Sequence, residues 1–244
     1  MLVYQYICWL FLYSVIGWVY ETILCSVTER KWVNRGFLNG PYCPIYGFGA
    51  VLCVLLLDKT HNPIVLFYLG MVTACSLEYF TSWLMEKLFM ARWWDYSSHK
   101  YNLNGRISLA GALVFGTFSV LLVRFAHPWV IHQTELLSDQ VVMISALLIT
   151  FVFLVDCTVT VLTILGLNKK LQLADLKIQI TEFKLQISEI KEVISRLSLQ
   201  EKRLLRAFPK LKSVIYDDAL QLIKEDLSDK LRKTKEQLKK YRQS

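Results

Sequence analysis

Four acidic residues stand in or beside apolar runs: Glu21, Glu78, Glu86 and Asp156. A charge in a membrane-spanning helix is costly and faces a bundle interior or a watery cavity. Glu78 is the fifteenth residue of its apolar run, counted from Ile64, and Asp156 is the sixteenth, counted from Val141. Glu21 lies near the far end of the first run. Arg35, Arg92 and Arg106 flank the same ends. Acids and guanidinium groups at one level of a membrane predict a site for a cation, a proton or a polar substrate. Ion pairs that merely tie helices together are the competing reading.

Two connectors carry the remaining chemistry. The first holds Asn34, Arg35, Gly36, Asn39, Gly40, Pro41, Pro44, Tyr46 and Gly47. The second holds Arg92, Trp93, Trp94, Asp95 and Tyr96, then Asn102, Gly105 and Arg106. Glycine lets backbone approach a ligand closely. Arginine offers a rigid fork for carboxylate or phosphate. The alternative for the tryptophans and Tyr96 is an interfacial aromatic belt, and for Arg92 and Asp95 a simple pair across one helical turn. No catalytic nucleophile motif appears. Cys8, Cys25, Cys43, Cys53, Cys75 and Cys157 form no CxxC pair and fall into no ligand pattern with the four histidines. No metal or cofactor is therefore expected, and the cysteines read as small buried hydrophobes.

The elements that must position these residues are membrane helices. Hydrophobic residues make up 54% of the 244-residue chain and charged residues 20%, which excludes a single soluble globule. Five apolar segments are predicted, at about 2–25, 41–57, 64–89, 109–125 and 141–165. A helix needs about 20 residues to cross the hydrocarbon core, so the second and fourth are short. Pro41, Pro44, Gly47 and Gly49 allow a broken or re-entrant second segment, or a proline at the start of an ordinary tilted helix. Ser108, Ala112 and Gly116 form a small-residue stripe that predicts close packing on another helix. The expected fold class is all-α: a five-helix transmembrane bundle over residues 1–167, followed by a helical tail over 168–244.

Charge separates the two parts. Residues 1–167 hold nine basic and nine acidic side chains, whereas residues 168–244 hold nineteen and eleven. The +8 of the whole chain sits in the tail. Lys and Arg also cluster in the connectors after the first and third segments, leaving Lys59 and Arg124 opposite. The positive-inside rule then places the N-terminus outside and the tail in the cytoplasm. The first segment has no basic start and no cleavage site, so it reads as a retained helix rather than a signal peptide.

The tail shows a heptad over 173–204: Leu173, Ile180, Ile187 and Ile194 at one position, and Leu176, Phe183, Ile190, Leu197 and Leu204 at the other. Lys177, Lys184 and Lys191 line its edge, while Ile178, Leu185 and Leu199 widen the apolar stripe toward a bundle or hairpin. A break is expected at 208–213, where Pro209 stands. A second helix follows over 214–241, with Leu220, Ile223, Leu227, Leu231 and Leu238 on one side. It is expected to fold back or to lie on anionic lipid. Aromatic residues are sparse there and no nucleic-acid-binding motif occurs, so nucleic acid is not an expected partner.

The combination of Gly17-Trp18-Val19-Tyr20-Glu21, Asn34 to Gly47, Leu77-Glu78-Tyr79, Trp94-Asp95-Tyr96 and Gly105-Arg106 resembles a family of bacterial membrane proteins named as ABC-transporter permeases of type IV. The resemblance covers about residues 4–170, and the tail around Phe208-Pro209-Lys210-Leu211-Lys212 is similar to extensions on some members. It implies a bacterial inner-membrane protein linked to solute transport and carries over no catalytic residues. No GxxxxGK[ST] loop occurs, so an ATPase would be a separate chain. Three functions follow. The first is a permease-like or channel-like homo-oligomer joined through its tail, with Glu21, Glu78 and Asp156 in its pathway and Arg35 and Arg106 at its inner mouth. The second is a membrane enzyme acting on a lipid or polyprenyl phosphate headgroup. The third is a scaffold acting through its coiled coil.

Overall fold

The computed structural model describes residues 1–180, 192–209 and 211–227. It contains four helices long and apolar enough to cross a membrane and one shorter apolar helix. Helix α1 spans Leu2–Thr28 and α3 spans Pro63–Phe89, 27 residues each. At 1.5 Å per residue each is about 40 Å long, more than the hydrocarbon core requires. Helix α3 starts sharply: Asn62 Oδ1 accepts from the backbone N–H of Ile64 and Val65, at 2.9 and 3.3 Å, and Pro63 fills the first turn. It stops at Met90, which adopts a left-handed conformation (φ 50°). Large apolar side chains that face outward on such helices suit lipid surroundings, as at Ile23 and Val72.

The second segment is an unbroken but short helix, α2, Pro44–Leu57. Before it begins, residues 29–43 run back into the bundle alongside α1. Val33 N–H donates to Ser26 Oγ, Trp18 Nε1 to Asn34 Oδ1, and Cys43 N–H to the carbonyl of Ser14, at 3.0, 2.8 and 2.9 Å. Ser14 is halfway along α1. The chain thus returns alongside α1 as loop to the level of Ser14, and α2 begins there against α1. Irregular backbone at that depth survives only because protein groups satisfy it. Pro44, the first residue of α2, needs no hydrogen-bond acceptor for its nitrogen.

The fourth crossing is longer than its hydropathy predicts. Helix α4, Leu109–Leu121, passes through a π-helical turn, Leu122–Ala126, into α5, His127–Glu135. The expected end near Phe125 is corrected to Glu135. Pro128 removes an N–H and would clash with the preceding turn of a regular helix; the wider π turn absorbs both faults. Arg124 is accommodated by donating to the carbonyl of Thr60. On this side of the bundle Tyr13 bonds His127 at 2.8 Å and Trp9 Nε1 donates to Thr134 Oγ1 at 2.9 Å. Gly116, from the small-residue stripe, lies against the Phe67 ring of α3.

Helix α6, Asp139–Ile180, runs 42 residues without a break across the point where the composition changes. A helical turn at 192–195 follows, then α7, Leu199–Ala207, strand β4, Lys212–Ser213, and helix α8, residues 217–227. The heptad register reads through 196–198, but there the chain turns and a new helix starts. Ser198 and Glu201 form a reciprocal capping box that stops one helix and begins the next. Within the heptad Leu173 is exposed, while Ile194, Leu197 and Leu204 are buried. Phe183, Lys184, Leu185, Ile187, Ile190, Lys191, Leu231 and Leu238 lie outside the described residues.

The described tail packs on the end of the bundle. Phe89 and Trp93 share a core with Ile164 and Leu167 of α6 and with Leu204, Phe208, Leu220 and Ile223. Strand β1, Ala91–Arg92, pairs antiparallel with β4, Ala91 opposite Ser213 and Arg92 opposite Lys212. Strands β2, Asn102–Leu103, and β3, Ile107–Ser108, form a small hairpin beside them.

Candidate functional site

The acids predicted to cluster occupy three separate places. Asp156, on α6, accepts five hydrogen bonds. They come from Asn39 N–H at 3.0 Å, Asn39 Nδ2 at 2.8 Å, Gly40 N–H at 2.8 Å, Tyr42 hydroxyl at 2.6 Å and Thr160 hydroxyl at 3.3 Å. Four of these five come from the re-entrant loop. The carboxylate is a post on which that loop is hung, with Asn34 as a second: its Oδ1 takes both Trp18 Nε1 and, at 3.2 Å, Gly36 N–H.

Arg106 lies elsewhere. Its Nη2 meets Glu86 at 2.9 Å, its Nη1 donates to Ser82 Oγ at 3.1 Å, and its plane stands over Tyr79. Arg92 donates to the same Glu86 oxygen from Nε at 2.7 Å. The expected Arg92–Asp95 pair is corrected by this geometry: Arg92 is in a strand, not a helix, and Asp95 bonds Lys212 of the tail at 2.7 Å. Glu86, a junction for two arginines, was legible only as one acid among four. Its position eight residues after Glu78, on the same face of α3, was the available signal.

The second connector is shaped by local bonds. Asp95 Oδ1 accepts from Ser97 N–H at 2.9 Å, Tyr96 N–H donates to the carbonyl of Gly105, and Gly105 N–H to Asn102 Oδ1. Gly105 has φ +67° and lies so near Asp95 and Ser97 that a Cβ would meet both. Trp94 Nε1 donates to the carbonyl of Arg106 at 3.0 Å. The hairpin thus carries Arg106 to Glu86 and Tyr96 toward Glu78.

Glu21, Arg35 and Glu78 line one cavity of about 630 Å³ among the helices, together with Pro44, Tyr46, Trp93, Trp94 and Tyr96. Its walls are otherwise mostly apolar and aromatic, with Tyr20, Phe115, Phe118 and Phe153 among them. Tyr46 hydroxyl donates to Glu21 at 2.6 Å, and Arg35 Nε is 3.7 Å from the other Glu21 oxygen. Glu78 is buried and accepts a long 3.4 Å bond from the Tyr96 hydroxyl. Burial and the nearby carboxylates push the Tyr96 phenol well above its ordinary value, so it acts as a donor at neutral pH. Asp156, Arg106, Asn39, Gly40, Asp95 and Asn102 stand outside the lining.

The tail closes the cavity from one side. Phe208 joins the lining and packs edge-on against Trp93, centroids 5.0 Å apart. Arg35 lies over the Phe208 ring at 4.6 Å and donates to the carbonyl of Ala207. Arg203 donates to the carbonyls of Gly36 and Phe37 at 2.9 and 3.3 Å. Lys170 and the buried Glu201 pair at 2.7 Å beneath α7. No periodicity reveals such contacts, since each joins residues more than 100 positions apart or spans a turn.

The Asp95–Lys212 bridge makes attachment of β4 depend on pH. The hydrogen bond from Lys212, then those from Ser97, hold the Asp95 carboxyl below the ordinary carboxylate range, and the bond to Asp95 raises the Lys212 ammonium. A lowered acid stabilises above its ordinary value and ceases to as pH falls through its folded one. A raised base stabilises below its ordinary value and ceases to as pH rises through its folded one. Lys212 is half exposed, so the bridge contributes at most about 1 kcal/mol. Tail protection from proteolysis is expected to be flat from about pH 4 to about pH 10 and to fall outside that window. Lys212→Met should lower protection within it and remove the acid-side fall; an unchanged pH profile would refute the assignment.

A bundle of long apolar helices around a partly charged cavity defines a multi-pass membrane protein. The model of the family described as "Putative ABC-transporter type IV" matches residues 8–161, more than half the chain, and the protein belongs to that family. No match is found among curated proteins or among solved structures.

Proposed function

We propose that the chain is a permease-like or channel-like transport component whose polar site is the cavity holding Glu21, Arg35 and Glu78. The observation that carries this reading is Glu78: a buried carboxylate facing a chamber of about 630 Å³, with one long hydrogen bond to it. Unused charges rarely persist in such helices. In this reading Asp156 and Arg106 shape the pathway by holding the two connectors in place. The tail lies in the bacterial cytoplasm, as the Lys and Arg distribution of the connectors favours. The site then occupies the cytoplasmic half of the membrane, and a separate ATPase supplies energy. A homo-oligomer joined through the heptads draws less support, because Ile194, Leu197 and Leu204 pack in this chain's own core. The headgroup-enzyme reading draws less support, because Arg92 and Arg106 both bond Glu86 and Arg35 bonds Ala207 and Glu21.

Reconstituted protein in proteoliposomes is the test, with pyranine reporting proton movement and a planar bilayer reporting ion conductance. Glu78→Gln keeps the shape and the Tyr96 contact but removes the charge. It is expected to lower flux at least tenfold while the protein elutes and melts as the wild type does. No flux by either readout, or equal flux in the variant, would overturn the proposal.

A further inference from the structure

The cavity identifies its ligand class by charge and shape. Three acidic or basic side chains line it: Glu21, Arg35 and Glu78. Glu21 and Arg35 lie 3.7 Å apart and offset each other. Glu78 is left with no basic partner in the lining. A carboxylate in apolar surroundings is costly unless a partner charge reaches it. The walls suit a bulky apolar body, since Ile16, Tyr20, Phe115 and Phe153 contribute aliphatic and aromatic surface. Aromatic faces also attract cations. Trp93 adds aromatic surface at one end, packed edge-on against Phe37 and Phe208. The volume falls in the range of about 300–1,000 Å³ typical of drug-sized ligands.

We infer that this cavity binds an amphipathic monocation: an apolar or aromatic body bearing one ammonium group, which pairs with Glu78. The inference rests on the reading of this cavity as the chain's polar site and names what it takes. Such a molecule partitions into the bilayer, and Ile16 and Phe118 combine lining of the cavity with exposure on the bundle surface. Entry from the lipid side follows.

The probe is dansylcadaverine, a fluorescent primary amine, and its N-acetylated form is the neutral control. Energy transfer from tryptophan to dansyl reads binding to the full-length protein in detergent micelles. The amine is expected to bind saturably and at least tenfold more tightly than the acetylated form. Glu78→Gln should abolish that preference while leaving the weak binding of the neutral probe. Ala74→Phe, which fills the chamber from α3, should suppress both. Equal binding of the two probes to the wild type would overturn the inference without recourse to any variant, as would an undiminished preference in Glu78→Gln. Selective amine binding without flux in proteoliposomes would sink the transport reading alone. Glu78-dependent flux with no preference for the amine would sink the ligand class alone.

Discussion

Asp156→Ala is expected to destabilise the protein by about 3–5 kcal/mol, placing it among the exceptional substitutions. The variant strips the acceptor from two backbone N–H groups, an amide and a phenol of the re-entrant loop. Each shielded donor left unpaired costs about 1–3 kcal/mol, and all four of these bonds are part-buried. The loop would detach from α6, and α2, which begins at its end, would lose its seat. Asp156→Asn should fall between. Its oxygen can still serve Asn39, but its NH2 group faces the Gly40 N–H, donor against donor. Thermal melting followed by size-exclusion chromatography measures the order, with wild type above Asn and Asn above Ala. An alanine variant melting within a few degrees of wild type would show that the loop is held by something else.

Gly47→Val is expected to prevent assembly of the bundle, and Gly47→Ala to cost about 1–3 kcal/mol, the usual penalty for overpacking. Glycine here is a matter of space. A Cβ at Gly47 would overlap the carbonyl oxygen of Leu10 and the hydroxyl of Ser14 on α1. The carbonyl is backbone and cannot swing aside, so α1 and α2 would have to part. Parting them would also stretch the bond from Cys43 N–H to Ser14, which ends the re-entrant loop. Gly49 is the internal control. A Cβ there finds only Leu77 Cδ2, at 3.5 Å, an ordinary contact. Gly49→Ala should be neutral or stabilise by up to about 1 kcal/mol through helix propensity. The same pair of melting curves decides: if both alanine variants behave alike, close helix approach at Gly47 is not the reason for its glycine.

Which features were readable beforehand follows from how locally each is determined. The apolar runs announced five segments, three of them plainly long enough to span, because lipid demands about 20 apolar residues of any helix that crosses it; the structure has four such helices and one shorter one. The Pro and Gly residues before the second segment marked an irregular entry, since few other residues tolerate one. The fourth crossing was read ten residues short. Arg124 and Pro128 look like an end in hydropathy, whereas a π turn and the Thr60 carbonyl absorb them. The heptad of the tail was read as continuous through 196–198, where the Ser198–Glu201 box starts a separate helix.

For the site, residue type and position along each helix were set by the amino-acid sequence itself, and from it Glu21, Glu78 and Asp156 are expected near one level. Which of them shares a chamber was decided by tertiary structure. Helix rotation and the path of residues 29–43 turned Glu78 and Glu21 to the cavity and set Asp156 under the loop. Arg203, Phe208 and Lys212 reach their partners only once the tail has folded back. The physical reason is range. Burial in lipid acts on each segment independently and leaves a mark in composition, whereas hydrogen bonds and ion pairs between distant residues exist only when the whole chain has brought them within about 3 Å.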